Sequence, residues 1–186
     1  MLNRRSVLRA LGVLGGVLLA PASLWARRYA QTRPDPDGAL EAALRESPYV
    51  YVSPLHEDGR ESTCHGEIWF AWLDGAVTTT VAATTWKARA LEKGLLGARI
   101  WVGDHGRVKG LLGENQAFRK APHFEARAAK TRDPELFDRL LAEYARKYPD
   151  AIGRWKDRMA AGQRDGSRIM IRYVPVPSPE AGTTQG

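Results

Sequence analysis

The sequence has a single cysteine, Cys64, in 186 residues. An intramolecular disulfide is excluded, so the fold must hold without one. The four histidines, His56, His65, His105 and His123, show no ligand spacing of the HxxxH kind. Cys64 and His65 are adjacent, and neighbours on a strand point to opposite faces, which makes a poor chelate. The expectation is a buried thiol beside a surface imidazole, with no metal site. No glycine-rich phosphate loop, serine nucleophile motif or pair of catalytic carboxylates is recognisable, and the chemistries that need them have no support. Long apolar runs are scarce as well. An uncharged stretch from Leu11 to Ala26 contains Gly12, Gly15, Gly16 and Pro21, and it is shorter than the ~20 residues of a spanning helix.

An excess of basic residues on the folded surface is also lacking. The formal net charge is +7, but Arg4, Arg5, Arg9, Arg27 and Arg28 account for five of the 28 basic residues. Beyond Arg28 there are 23 basic residues against 21 acidic ones, a net +2. A nucleic-acid-binding domain carries its charge as a patch on the fold, so nucleic acid is not an expected partner.

The basic cluster at the start has a different reading. Arg4-Arg5 is followed by Ser6, the apolar Val7 and Leu8, and Arg9; the uncharged run comes next, and Ala20-Pro21-Ala22 supplies a small-x-small cleavage pattern. This order resembles the address read by the twin-arginine export machinery. The expected organisation is a signal over residues 1–22, a linker over 23–38, one domain over 39–176 and a disordered tail over 177–186. The expected location is periplasmic or extracellular, with no stable membrane span in the mature form. A leader left uncut would tether the protein to the membrane.

Within the domain, periodicity and punctuation predict strands first and helices later. Ala39–Arg45 reads as a short helix and Tyr49–Val52 as a strand. Glu67–Leu73 is an aromatic-rich strand, Asp74-Gly75 a two-residue hairpin turn, and Ala76–Ala82 the returning Val/Thr strand. On the aromatic strand Phe70 and Trp72 share a face, assigned to the core, and Trp69 takes the other. Thr84 or Thr85 caps a helix from Trp86 to Lys93 that closes at Gly94. Strands follow at Ala98–Val102 and His123–Lys130. Asp133-Pro134 opens a helix with the stripe Leu136, Phe137, Leu140, Leu141 and Tyr144, which ends at Tyr148-Pro149. A second helix over Ala151–Ala161 and a last strand over Ile169–Val174 complete the domain. The fold class is mainly β with α, a small barrel with helices packed outside.

Three segments in this order resemble the split β-barrel family of the pyridoxamine-phosphate oxidases and the flavin or deazaflavin reductases. They are EIWFAWLDGAVTTTVAATTWKARAL, GARIWVG and FEARAAKTRDPELFDRLLAEYARKYPD. The resemblance covers residues 39–176 and implies a six-stranded split β-barrel with peripheral helices. It implies FMN, or the deazaflavin F420, in a groove at a homodimer interface, with haem as a further alternative. Matched by position, it puts Thr80, Thr84, Thr85, Trp86 and Lys87 at the cofactor, with Thr84, Thr85 and Lys87 at a phosphate-facing turn and Trp86 either stacked on the ring or in the core. Hydroxyls and free N–H groups at a helix start suit an anion, and a lysine adds a full charge. Taken from the residues alone, the same run reads as a helix cap with a solvated lysine. Family members often carry Arg-Lys where this chain has Trp86-Lys87, and residues 107–122 have no counterpart. The implied activity is redox chemistry on a small molecule, with the cofactor supplying the reactivity. The alternative is a non-enzymatic flavin- or haem-binding module of the same fold.

Overall fold

The protein is described by a computed structural model over residues 38–105 and 117–176. The leader, the linker before Gly38, residues 106–116 and the tail from Pro177 lie outside the described residues. The elements in chain order are α1 (Gly38–Glu46), β1 (Tyr49–Pro54), β2 (Gly66–Trp69), β3 (Ala71–Leu73), β4 (Ala76–Ala82), α2 (Trp86–Glu92) and β5 (Gly97–Val102). A 3₁₀ turn (Ala117–Lys120), β6 (His123–Thr131), α3 (Pro134–Lys147), α4 (Pro149–Ile152), α5 (Lys156–Asp165) and β7 (Arg168–Pro175) follow.

All strand pairs are antiparallel, in the order β2-β1-β5-β6-β7-β4-β3. The two outermost strands, β2 and β3, are separated only by Phe70. One short stretch therefore belongs to both edges, and the sheet closes on itself. Counted as one strand bent at Phe70, β2 and β3 give the expected six; hydrogen bonding divides them and gives seven. Asp74 and Gly75, between β3 and β4, have φ of 50° and 66°, the left-handed pair that a two-residue hairpin turn requires.

The closed sheet buries one apolar cluster inside, built on Val50, Phe70, Trp72, Val77, Ile100 and Ile171. A second cluster lies outside, where α3, α4 and α5 pack Leu136, Phe137, Leu140, Tyr144 and Met159 against Ala71, Leu73 and Met170. Phe70 and Trp72 are thus core, and Trp69 takes the opposite face, stacked on Tyr148 at 4.2 Å. The start of α3 is fixed by Asp133, whose carboxylate accepts from the N–H groups of Glu135 (3.0 Å) and Leu136 (3.1 Å) ahead of Pro134.

The backbone break at Phe70 is closed from α3's end. The Tyr148 hydroxyl accepts from the Phe70 N–H (3.1 Å) and donates to the Pro48 carbonyl in a short hydrogen bond. A buried N–H left without a partner costs about 1–3 kcal/mol. Tyr148→Phe is expected to lose that much in urea unfolding, and a loss below ~0.3 kcal/mol would show that this hydroxyl does not hold the break.

Two expectations are corrected. Residues 151–161 do not form one helix: α4 ends at Ile152, and a turn through Gly153 and Trp155 precedes α5. Glycine is a poor helix former, and Pro149 starts a fresh turn immediately after Tyr148. Cys64 is exposed rather than buried. It precedes β2 in a loop, where its N–H donates to Ser62 Oγ (2.9 Å), and so has no strand face to bury it.

Lys147 fastens α1 to α3. Its ammonium donates to the carbonyls of Ser47 (2.9 Å) and Leu44 (3.1 Å) and lies 3.8 Å from the Phe70 ring centroid. Burial pushes it down to about 8, against about 10.4 in an unfolded chain. Between these values the unfolded chain binds more protons than the folded one, so this group's contribution rises with pH. It is fully present above the unfolded value and is lost as pH falls through about 8. The stability of the protein relative to Lys147→Met should therefore rise from pH 7.5 to pH 10; a flat or falling difference contradicts it.

Candidate functional site

In the β3–β4 pair Ala71 faces Thr78. Carried back two residues, that register would set Trp69 against Thr80. It does not continue, because β2 pairs with β1 and parts from β4. The barrel is therefore open between β2 and β4.

Backbone carbonyls at the parting are taken up by side chains, as buried backbone must be. The Trp69 carbonyl accepts from Thr79 Oγ1 (2.7 Å) and from the Tyr144 hydroxyl (2.9 Å). The Thr80 carbonyl accepts from Arg168 Nη2 (2.8 Å), and Arg168 Nε donates to Thr80 Oγ1 (3.4 Å).

Above this opening lies a groove of about 480 Å³, within the 300–1,000 Å³ typical of small-molecule sites. Strand residues Trp69, Thr79, Thr80 and Arg168 meet Tyr144, Arg154, Trp155 and Met159 from the helical side. Trp155, at the bend between α4 and α5, is 40% exposed. Burial pushes the Tyr144 phenol up to about 12, so it stays protonated and acts as a hydrogen-bond donor. Burial likewise lowers Arg168 from its ordinary value. Glu67 is the groove's acidic lining residue, and one of its carboxylate oxygens accepts from the Tyr51 hydroxyl (2.7 Å). Tyr51 is in turn stacked on Phe118 of the 3₁₀ turn at 4.8 Å. Among the described residues no group of three or more His, Cys, Asp or Glu is placed to hold a metal ion.

The five residues singled out from the sequence do not line one place. Thr80 is buried and lines the groove. Thr85 is the cap of α2: its hydroxyl donates to the Ala82 carbonyl (2.8 Å) and accepts from the Ala88 N–H (3.4 Å). Thr84 is exposed. The Lys87 ammonium lies 4.0 Å from the Trp86 ring centroid, and both side chains pack against Gly66, where a Cβ would sit 3.3 Å from Lys87 Nζ. Trp86 and Lys87 border a separate gap of about 10 Å³, large enough for about one water and no ring. Arg168, Arg154 and Trp155 were not singled out from the sequence. A polar residue at a strand start carries no local signal, and Trp155 lay within a stretch read as helix.

No family model matches the chain, and no curated protein sequence does. Solved structures do. The haem storage protein HutZ of Vibrio cholerae matches with TM-score 0.51 and 15% identity, over 76% of this chain and 91% of its own. A conserved hypothetical protein of Mycobacterium tuberculosis matches with TM-score 0.51 and 16% identity, over 81% and 94%. A candidate pyridoxamine 5'-phosphate oxidase of Listeria innocua matches with TM-score 0.49 and 10% identity, over 75% and 93%. The fold is a split β-barrel. At these identities the likeness is one of architecture. In the split barrel's terms the groove lies in the split itself, with the helical hairpin of α3 to α5 as its outer wall.

Proposed function

We propose that this protein binds a flat, anionic cofactor in the split of its barrel. The observation that carries the reading is the groove: aromatic walls at Trp69, Tyr144 and Trp155, with Arg154 and Arg168 among the lining residues and Glu67 as the acid. Such a donor set suits a ring system with an acidic substituent, because rings pack on rings and guanidinium groups grip phosphate or carboxylate. A flavin-type cofactor, FMN or F420, fits this description and would supply hydride chemistry on a small molecule when bound. This chain's own residues would bind and orient it. Trp69 and Trp155 would flank the ring, the neutral Tyr144 phenol would donate a hydrogen bond, and the helical wall would shed water from one face.

Haem is the second reading. It is favoured by the match to a protein described as a haem storage protein, and its propionates make the same demand on the arginines. On that reading the protein is a carrier or store, not an enzyme. Absorption spectroscopy of the protein purified from its native host, with mass spectrometry of the ligand released on denaturation, tests both. Flavin bands bleached by a reductant support the redox reading, and a Soret band supports the haem one. Colourless protein without affinity for added flavin or haemin rejects them together.

The proposal includes assembly and location. A homodimer would cover the exposed Trp155 side of the groove, and light scattering of the mature protein at micromolar concentration reads the mass directly. Export by the twin-arginine route rests on Arg4-Arg5. Replacing both with lysine should hold the precursor in the cytoplasm, and undiminished export would count against that route.

A further inference from the structure

We infer that Arg168 is the anion-recognising residue of the groove, and that its ligand presents a phosphate or carboxylate there rather than at Lys87. The inference rests on the cofactor reading above and adds the residue and the charged group.

Arg168 opens β7, opposite Ala82 of β4. Its side chain is only partly exposed and lines the groove. A guanidinium has five N–H donors. Two contacts go to Thr80, one to the carbonyl and one to the hydroxyl, and both acceptors are uncharged. Among the described residues no carboxylate pairs with it, whereas Arg45, Arg60, Arg99, Arg119, Arg139 and Arg146 are each paired with one. A partly buried charge with no opposite charge is a cost to the fold. The same arrangement is an advantage to a site, because the donors are already desolvated and held in place before a ligand arrives.

The surroundings are shaped to keep it there. Gly162 of α5 lies directly against the arginine stem. A Cβ at that position would sit 2.5 Å from Arg168 Cγ and 2.8 Å from Cδ. Those are stem atoms rather than a mobile tip, so any other residue would force the arginine out of its track. Thr80 then fixes the head group from the strand below. Arg154, exposed on the same groove, supplies a second positive charge. Lys87 does not line this groove and is packed on Trp86.

Phosphate and propionate share this chemistry, and paired probes separate them. Binding of FMN and riboflavin, and of haemin and haemin dimethyl ester, is measured for the full-length chain, Arg168→Gln, Arg168→Lys and Lys87→Ala. In each pair the second probe lacks the anion. The unaltered protein should prefer the charged member of one pair by about 10- to 150-fold, the worth of a charge-assisted hydrogen bond. Arg168→Gln should abolish the preference. Arg168→Lys should restore part of it, and Lys87→Ala should keep it whole. A preference that survives Arg168→Gln, or disappears in Lys87→Ala instead, overturns the inference. Should Arg168→Gln fail to fold, phenylglyoxal labelling of the unaltered chain decides. The preferred ligand must shield Arg168 in the peptide map, and equal labelling with and without it overturns the inference. If charged and uncharged probes bind alike, this inference falls and the cofactor reading stands. If none of the four binds, this inference falls, and the FMN and haem readings fall with it.

Discussion

Phe70→Ala is expected to destabilise the protein by about 3–5 kcal/mol, the range for removing a buried aromatic ring. Phe70 is fully buried and sits where β2 becomes β3. Its ring belongs to the inner cluster with Val50, Trp72 and Ile171. The same ring is the surface on which the Lys147 ammonium rests, 3.8 Å from its centroid. Alanine would open a cavity inside the barrel and remove the π-face under a partly desolvated cation, two losses with the same sign. Urea unfolding measures the sum, and a loss below ~1 kcal/mol would show that the barrel interior collapses around the gap.

The second large effect lies on the other side of the sheet. Leu140 is fully buried between α3 and the outer face of the barrel, beside Phe137 and Tyr144. Leu140→Ala is expected to cost ~2–5 kcal/mol. If barrel and helical layer form one cooperative unit, the denaturant midpoint should fall with the m-value unchanged. A change under about 0.5 kcal/mol would mean that this face is not packed as described. A reduced m-value would mean that the helices detach before the barrel opens.

What could be read from the sequence is what neighbouring residues decide. Asp74-Gly75 declares its turn because few residues other than glycine, asparagine and aspartate accept left-handed φ. Asp133-Pro134 declares a helix start because cap and first-turn proline are local features. The stripe from Leu136 to Tyr144 repeats at the helical period, and all five of its residues are buried. The break at Phe70 could not be read. Residues 67–73 contain no glycine or proline, and the hydroxyl that satisfies the break comes from Tyr148, far along the chain. Arg168 was silent for the same reason. Its meaning depends on Gly162 across a helix and Thr80 across a ladder, neither of which its own neighbours announce. Thr80 was placed at the cofactor by resemblance, and it lines the groove. Thr85 and Lys87 occupy the helix start as expected, but their contacts are a cap and an indole ring.

The sharing of residues 66–73 between both edges of the sheet bears on how the molecule is made. β4 has β3 on one side and β7 on the other, and β7 is the last strand among the described residues: Val77 waits for Tyr173 and Val81 for Ile169. During synthesis the hairpin of β3 and β4 emerges early with one flank bare. Distant pairings of this kind are slow to form, and a bare strand flank is a template for pairing with the wrong chain. The hazard to this protein therefore lies in the interval before its last strand arrives. A chain that stops short of Arg168 loses more than one strand of seven, because β4 and β6 are then left without the partner they share and the ring does not close.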